Sequence, residues 1–349
     1  KFINFNPTNK IPYEDKLFED IDIDLLLSRQ KVEINYSLIS EFFYNKNIIV
    51  TGGGGSIGTE LCLQLLKFKI KKLIIVEKNE YNLFAVKKNI ENLDLKNITI
   101  SYSLTDIIDT NSLKDIFENN TIDIIYHAAA YKHVIFGGEN LNNFFKNNFL
   151  GTKILLDFAT KYRIKNFMLV STDKATNPIN TMGLTKYLSE CLCDYYYKIN
   201  DNIIINKVRF GNVLGTSGSV IPVFKEQILK GGPVTVSHKD VKRYFMTKEE
   251  AVELILYSSK IGKKKIGSYG FCGCFSFYAN KIITSGEGGI ITTNNREFYE
   301  KLKLYRNLGF TKPRFVHFVR GFNFRMTGYQ AALANNQLKR IEKTISKKI

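Results

Sequence analysis

The chain has 349 residues, 44% of them hydrophobic, and a formal net charge of +17, so disorder is set aside and there is room for one large domain or two. The positive charge is spread among many Asn and Ile residues and forms no basic stripe interleaved with aromatics. That sets aside a nucleic-acid partner and leaves a general attraction for anionic substrates or a membrane surface. Residues 1–45 lack a regular rhythm and read as a lead-in segment with one or two short helices. From residue 47 short apolar runs alternate with amphipathic ones. The pattern predicts a strand at 47–50, a helix at 56–67, a strand at 72–77 and a helix at 80–92. Further strands are predicted at 98–102, 122–127, 166–171 and 203–209, with helices between them. Such alternation specifies an α/β fold, a Rossmann-like, doubly wound parallel sheet. After a helix at 248–259 a basic, glycine-bearing stretch at 260–270 ends the sheet pattern, dividing the chain into 1–45, 46–259 and 260–349.

Five cysteines, Cys62, Cys191, Cys193, Cys272 and Cys274, make an odd number in a long chain, which points to a reducing cytoplasm. The two Cys-x-Cys pairs lack the spacing of a zinc site and read as core packing, so no metal is expected. No apolar run approaches the ~20 residues that a bilayer crossing needs. The chain begins with Lys1, not methionine, and the expectation is a longer parent protein.

The stretch Thr51-Gly52-Gly53-Gly54-Gly55-Ser56-Ile57-Gly58 follows the first predicted strand and opens a helix. Glycines at 52, 55 and 58 allow a tight turn, close approach of backbone N–H groups to a pyrophosphate, and packing of helix on strand. Glu77 closes the second strand at the offset of a ribose contact. Its carboxylate favours NAD, whereas the neighbouring Lys78 would attract the extra phosphate of NADP, and the choice stays open.

At the end of the fifth strand stand Ser171-Thr172-Asp173-Lys174, at the carboxyl edge where open α/β sheets bind ligands. Met182 and Lys186 lie one turn apart on the next helix. In short-chain dehydrogenases these positions are normally tyrosine and lysine, and methionine cannot take the proton that tyrosine takes. His127 and His133 read as structural.

The stretches NIIVTGGGGSIGTEL, HAAAYKHV, NNFLGT, STDKATNPINTMGLTK, VRFGNVLGTSGSVIPVF and KRYFMT resemble the polysaccharide-biosynthesis nucleoside-diphosphate-sugar dehydratases, the extended short-chain dehydrogenases that include the UDP-N-acetylglucosamine 4,6-dehydratases. The resemblance runs from about residue 22 to 259. Methionine at the tyrosine position is usual in the long, membrane-anchored members, and IDIDLLLSRQKV resembles their membrane-to-catalytic connector. The resemblance implies an internal redox cycle on a UDP-sugar: hydride from C4 to NAD or NADP, loss of water across C5 and C6, and hydride return to C6.

It further implies Asp173 as general acid, Lys174 as base, and Thr172, Met182 and Lys186 as the rest of the catalytic set, with Lys186 also on the cofactor ribose. Ser56, Ile57, Asp106, Ala128, Ala129, Lys132 and Asn148 are implied near the cofactor. Lys132, Arg209, Asn212 and Arg243 are implied for the substrate, where guanidinium forks suit a diphosphate. Where the family has an aspartate near the adenine, this chain has Ser103. A homo-oligomer is implied, in the cytoplasm or on the cytoplasmic face of the inner membrane. The competing readings are a UDP-sugar 4-epimerase, which would retain tyrosine, and an inactive remnant that binds nucleotide only.

After the boundary, GCFSFYANKIITSGEGGIITTN and GFNFRMTGYQAALANNQLKRIE resemble pyridoxal-phosphate (PLP) sugar aminotransferases of the DegT/DnrJ/EryC1 type, from about 264 to 345. Lys281 matches the Schiff-base lysine, Ser276 a cofactor-phosphate ligand, and Asn323 and Arg325 residues that reach a neighbouring subunit's cofactor. The front of such an enzyme has no counterpart before Lys281. The expectation is therefore a partial α/β segment of that type, with no functional PLP.

Overall fold

The computed structural model describes residues 36–93, 95, 97–216, 219–236, 245–260, 271–311, 316–317 and 319–346. The chain divides into two compact units, Lys1–Gly262 and Lys263–Ile349.

In the first unit six parallel strands form one sheet. They are β1 (Asn47–Thr51), β2 (Lys72–Glu77), β3 (Thr99–Leu104), β4 (Ile124–His127), β5 (Asn166–Thr172) and β6 (Ile204–Phe210), in spatial order β3-β2-β1-β4-β5-β6. The order reverses between β1 and β4, which opens a crevice at their carboxyl ends. Each central strand is apolar on both faces, as a sheet covered by helices on both sides requires. Parity along the strand sorts side chains to two cores. Ile48, Val50, Leu73, Ile75, Ile124 and Tyr126 join one, and Ile49, Ile74, Val76 and Ile125 join the other.

The first core is closed by α1 (Ser37–Phe43), α2 (Ser56–Leu65) and the helix Lys248–Lys260. Ile39 and Phe43 of α1 are fully buried there, and the Tyr36 hydroxyl donates to Gln64 and Glu253. The end of the lead-in is thus part of the folded unit, because its apolar face caps that core; residues 1–35 lie outside the described residues. The predicted strands and helices are found within a few residues of their expected limits.

Cys62 and Cys193 are buried, but Cys191 and Cys274 are exposed, which corrects the core-packing expectation. Cys191 and Cys193 share one helix, where a spacing of two residues points side chains to opposite faces. Among the described residues no group of three or more His, Cys, Asp or Glu is placed to hold a metal, and no helix is long and apolar enough to cross a membrane.

The second unit holds an antiparallel pair, Gly273–Ser276 with Gly289–Thr292, and helices Arg296–Arg306, Gly328–Lys339 and Ile341–Ser346. Among its described hydrophobic residues only Ala334 is buried, while Phe324, Tyr329 and Ile282 are exposed.

Candidate functional site

The glycine turn joins β1 to α2. Gly52 takes φ +68°, and a Cβ there would stand 2.6 Å from the backbone of Ala129, so only glycine lets β1 and the segment after β4 close together. Gly58 is packed against the Gly52 carbonyl, where a Cβ would overlap it. The N-cap of α2 is Gly55, which supplies no side-chain cap. No side chain caps this helix end, and the positive end of the helix dipole there favours an anion.

A cleft of about 550 Å³ runs from this turn to the carboxyl ends of β5 and β6. Gly52, Gly55, Ser56, Ile57, Gly58 and Ala128 line one part of it. Thr172, Lys174, Met182, Lys186, Asn212 and Lys132 line the rest. A smaller recess, also lined by Gly52 and Gly55, is bounded by Glu77, Lys78, Asp106 and Ala129. One continuous site thus unites a phosphate-type turn with the polar end of β5.

That polar end is built by a short turn. Thr172 Oγ1 accepts from the Lys174 amide at 3.4 Å and donates to Asp173 Oδ1 at 3.0 Å. Lys174 Nζ donates to the same Asp173 oxygen at 3.0 Å and to Asn212 Oδ1 at 3.4 Å. Burial raises the Asp173 pKa, but the hydrogen bonds and charge of Lys174, with the Thr172 hydroxyl, outweigh it and hold the carboxyl below its usual value. Asp173 is exposed and is not among the cleft-lining residues; it is the shared acceptor of Thr172 and Lys174.

Gly183, on the helix Thr181–Ile199, lets this turn press onto it, since a Cβ would lie 2.5 Å from the Lys174 carbonyl. Met182 and Lys186 on that helix are both buried and both line the cleft. Burial pushes the Lys186 ammonium down to about 8. No hydrogen bond or ion pair to it is found among the described residues, so its charge is available to a ligand. Burial likewise lowers the pKa of Lys132 and, with the Lys132 charge adding, that of His133.

His127 is structural, as read from the sequence. Its ring bridges Thr51 Oγ1 at 2.8 Å and Thr152 Oγ1 at 3.0 Å, and burial, then Lys186, pushes its pKa down to about 3. Asn148, expected near the cofactor, is found in the scaffold: it accepts from the Tyr131 amide at 2.8 Å and donates to the Tyr131 carbonyl and Thr185 Oγ1 at 3.1 Å each.

Arg209, expected at the substrate diphosphate, is paired with a side chain of the protein in this structure. Its guanidinium grips the buried Glu190 carboxylate, with Nε 2.8 Å from Oε1, and it does not line the cleft. Glu190 also accepts from Ser171 at 2.5 Å. Burial raises the Glu190 pKa, but Arg209 and Ser171 outweigh it. Sequence reasoning missed Glu190, although its place one turn after Lys186 on a helix was a signal. It also missed Tyr131 and Asn147 beside Lys78, which only the tertiary fold brings there. Arg243 lies outside the described residues.

In the second unit Ser276, Lys281, Asn323 and Arg325 are all exposed. Ser276 Oγ accepts from the Tyr278 amide at 3.2 Å, and Asn323 accepts from Arg325 at 3.1 Å. A Schiff-base lysine needs a desolvating pocket to be nucleophilic. The described residues do not fit PLP.

Sheet order, glycine turn and cleft together define an extended short-chain dehydrogenase/reductase fold. Residues 48–266 match the family model described as polysaccharide biosynthesis protein, and the chain belongs to that family. Residues 256–349 match the model of the DegT/DnrJ/EryC1/StrS aminotransferase family.

The capsular polysaccharide biosynthesis protein CapD of Staphylococcus aureus is 38% identical over 243 residues, covering 70% of this chain and 41% of that protein. The chain thus matches less than half of that relative's length. A UDP-glucose 4-epimerase of Rickettsia bellii is 33% identical over 229 residues, 63% of this chain and 64% of that one. Among solved structures, Pen from Bacillus thuringiensis superposes with TM-score 0.58 at 31% identity, covering 67% of this chain and 68% of that one.

Proposed function

We propose that residues 46–259 bind NAD(P) and a UDP-sugar in the cleft and act as a nucleotide-sugar 4,6-dehydratase, with a UDP-N-acetylhexosamine such as UDP-N-acetylglucosamine as substrate. The observation that carries this reading is Met182 beside Lys186 in a cleft that also holds Thr172 and Lys174. A thioether moves no proton, so proton transfer falls to its neighbours: Lys186 for the C4 oxidation, and Asp173 and Lys174 for an elimination.

The nicotinamide, when bound, accepts and returns a hydride. The chain's own residues do the remainder. The uncapped turn at Gly55–Ile57 holds the diphosphate. Lys186 holds the ribose and, through the neutral amine that its lowered pKa of about 8 makes accessible, takes the O4 proton as the hydride leaves C4 and passes it to solvent. A single proton shift along the 3.0 Å bond from Lys174 to Asp173 readies both partners, giving a neutral amine and a protonated carboxyl. Lys174 then takes the C5 proton as Asp173, with Thr172, delivers one to the C6 oxygen. Water departs, a C5–C6 double bond forms and the ion pair is restored; return of the hydride to C6 is then matched by return of the C5 proton from Lys174.

Incubation of the full chain with UDP-N-acetylglucosamine tests the proposal by the mass of the sugar nucleotide: loss of one water, with a 4-keto group, is the expected result. The second reading, a UDP-sugar 4-epimerase, is supported by the Rickettsia bellii relative. It is distinguished by an isomer of unchanged mass. Cofactor bound with no sugar conversion marks an inactive remnant.

A further inference from the structure

Glu77 and Lys78 give opposite indications at the adenosine end of the recess. We propose, resting on the dinucleotide reading above, that this chain selects NAD over NADP. In this proposal Glu77 excludes the 2′-phosphate, and Lys78 is a wall residue that takes no part in phosphate recognition.

Glu77 is 7% exposed and held by three backbone amides. Its Oε2 accepts from Gly54 N–H at 3.1 Å, and its Oε1 accepts from Lys78 N–H and Asn79 N–H at 3.0 Å each. A carboxylate offers about four acceptor sites, so the amides leave one, on Oε2. A ribose hydroxyl can donate to it; an ionised phosphate has only acceptors to present. Held at both oxygens, the side chain cannot swing aside to admit the larger group. The Gly54 amide belongs to the glycine turn itself, so moving Glu77 would also disturb the diphosphate cradle.

Lys78 would have to supply the attraction, and its ammonium is taken up. Nζ donates to the Tyr131 hydroxyl at 2.6 Å and to Asn147 Oδ1 at 2.9 Å. It stands 4.1 Å from the centroid of the Tyr131 ring and 3.8 Å from Asp106. These contacts tie the end of β2 to the segments at residues 131 and 147, a positioning role. The ionic groups of the recess are then two carboxylates, Glu77 and Asp106, against one ammonium. A 2′-phosphate would add about 1.5 to 2 further negative charges.

The test is a pair of titration series with the full chain, NADH and NADPH followed by calorimetry, together with mass analysis of the dinucleotide that copurifies. NAD is the expected copurifying species, and NADH is expected to bind at least about tenfold more tightly than NADPH. Glu77→Gln shrinks that ratio by about fivefold or more, through a gain in NADPH affinity. Lys78→Met weakens both ligands alike and keeps the ratio within about twofold. Equal or tighter NADPH binding by the unaltered chain, or a loss confined to NADPH in Lys78→Met, overturns the proposal. If neither dinucleotide binds, the dinucleotide site itself is refuted, an outcome distinct from a reversed preference.

Discussion

Lys186 stands one helical turn beyond Met182, and both side chains are buried while lining the same cleft. Methionine removes a proton carrier from that wall and leaves the lysine as its charged group. This pairing has a consequence for stability as well as for chemistry. Burial lowers the Lys186 pKa from 10.5 to about 8. Between those values the folded chain releases the proton that the unfolded chain keeps, so stability rises with pH through that window and is lost as pH falls back through about 8. Urea unfolding between pH 8 and 10 is expected to show a gain on the order of 3 kcal/mol that Lys186→Met lacks. Lys186→Met is also expected to lower turnover by about 100-fold or more.

His127 acts at the acid end. Its pKa falls from 6.5 to about 3, so its contribution is complete above 6.5 and disappears as pH drops through 3, where the buried ring must take a charge. A urea series from pH 7 to 3 is expected to show a slope of this origin worth a few kcal/mol, on the order of 4. His127→Gln flattens it, and costs about 1–3 kcal/mol at neutral pH through the bonds to Thr51 and Thr152.

Removing Arg209 leaves the buried Glu190 carboxylate with Ser171 as its remaining side-chain donor. Because the guanidinium is 42% exposed, solvent screens part of the loss. Arg209→Met is expected to lower unfolding stability by about 1–3 kcal/mol, while KM for the UDP-sugar changes by less than about threefold. A large rise in KM with unchanged stability would return Arg209 to the substrate.

Asp173→Asn and Lys174→Met separate the elimination from the hydride step. Each is expected to reduce formation of the 4-keto product by about 10²–10⁴-fold. Absorbance of reduced dinucleotide should still appear on mixing with the UDP-sugar, because Lys186 and the glycine turn are untouched. Loss of that signal in both variants would assign the pair to binding, and undiminished 4-keto product in both would remove the pair from the elimination.

Lys281 is exposed in a unit where Ala334 is the one buried residue among the described hydrophobic ones. Incubation with pyridoxal phosphate followed by borohydride is expected to label Lys281 no faster than other surface lysines, with no transamination of a 4-keto sugar. A stoichiometric adduct with turnover would reverse this.

The sequence alone determined the sheet, because runs such as Ile48–Val50 and Leu73–Val76 are apolar on both faces and only a helix-covered parallel strand buries both. It also determined the glycine turn, since Gly52 and Gly58 occupy positions where a Cβ has no room, and it placed Met182 and Lys186 on one helical face. These are local rules of period and backbone reach, and neighbours in the chain carry them.

Tertiary structure decided which charges are free. Arg209 looks available for a diphosphate until β6 and the helix Thr181–Ile199 set it against Glu190. Lys78 looks like a phosphate ligand until Tyr131, Asn147 and Asp106 close around it. Asp173 looks like a free acid in the site until Thr172 and Lys174 share its carboxylate outside the cleft lining. Electrostatic pairing acts over a few ångströms between residues tens of positions apart in the chain, and residue types alone do not specify it.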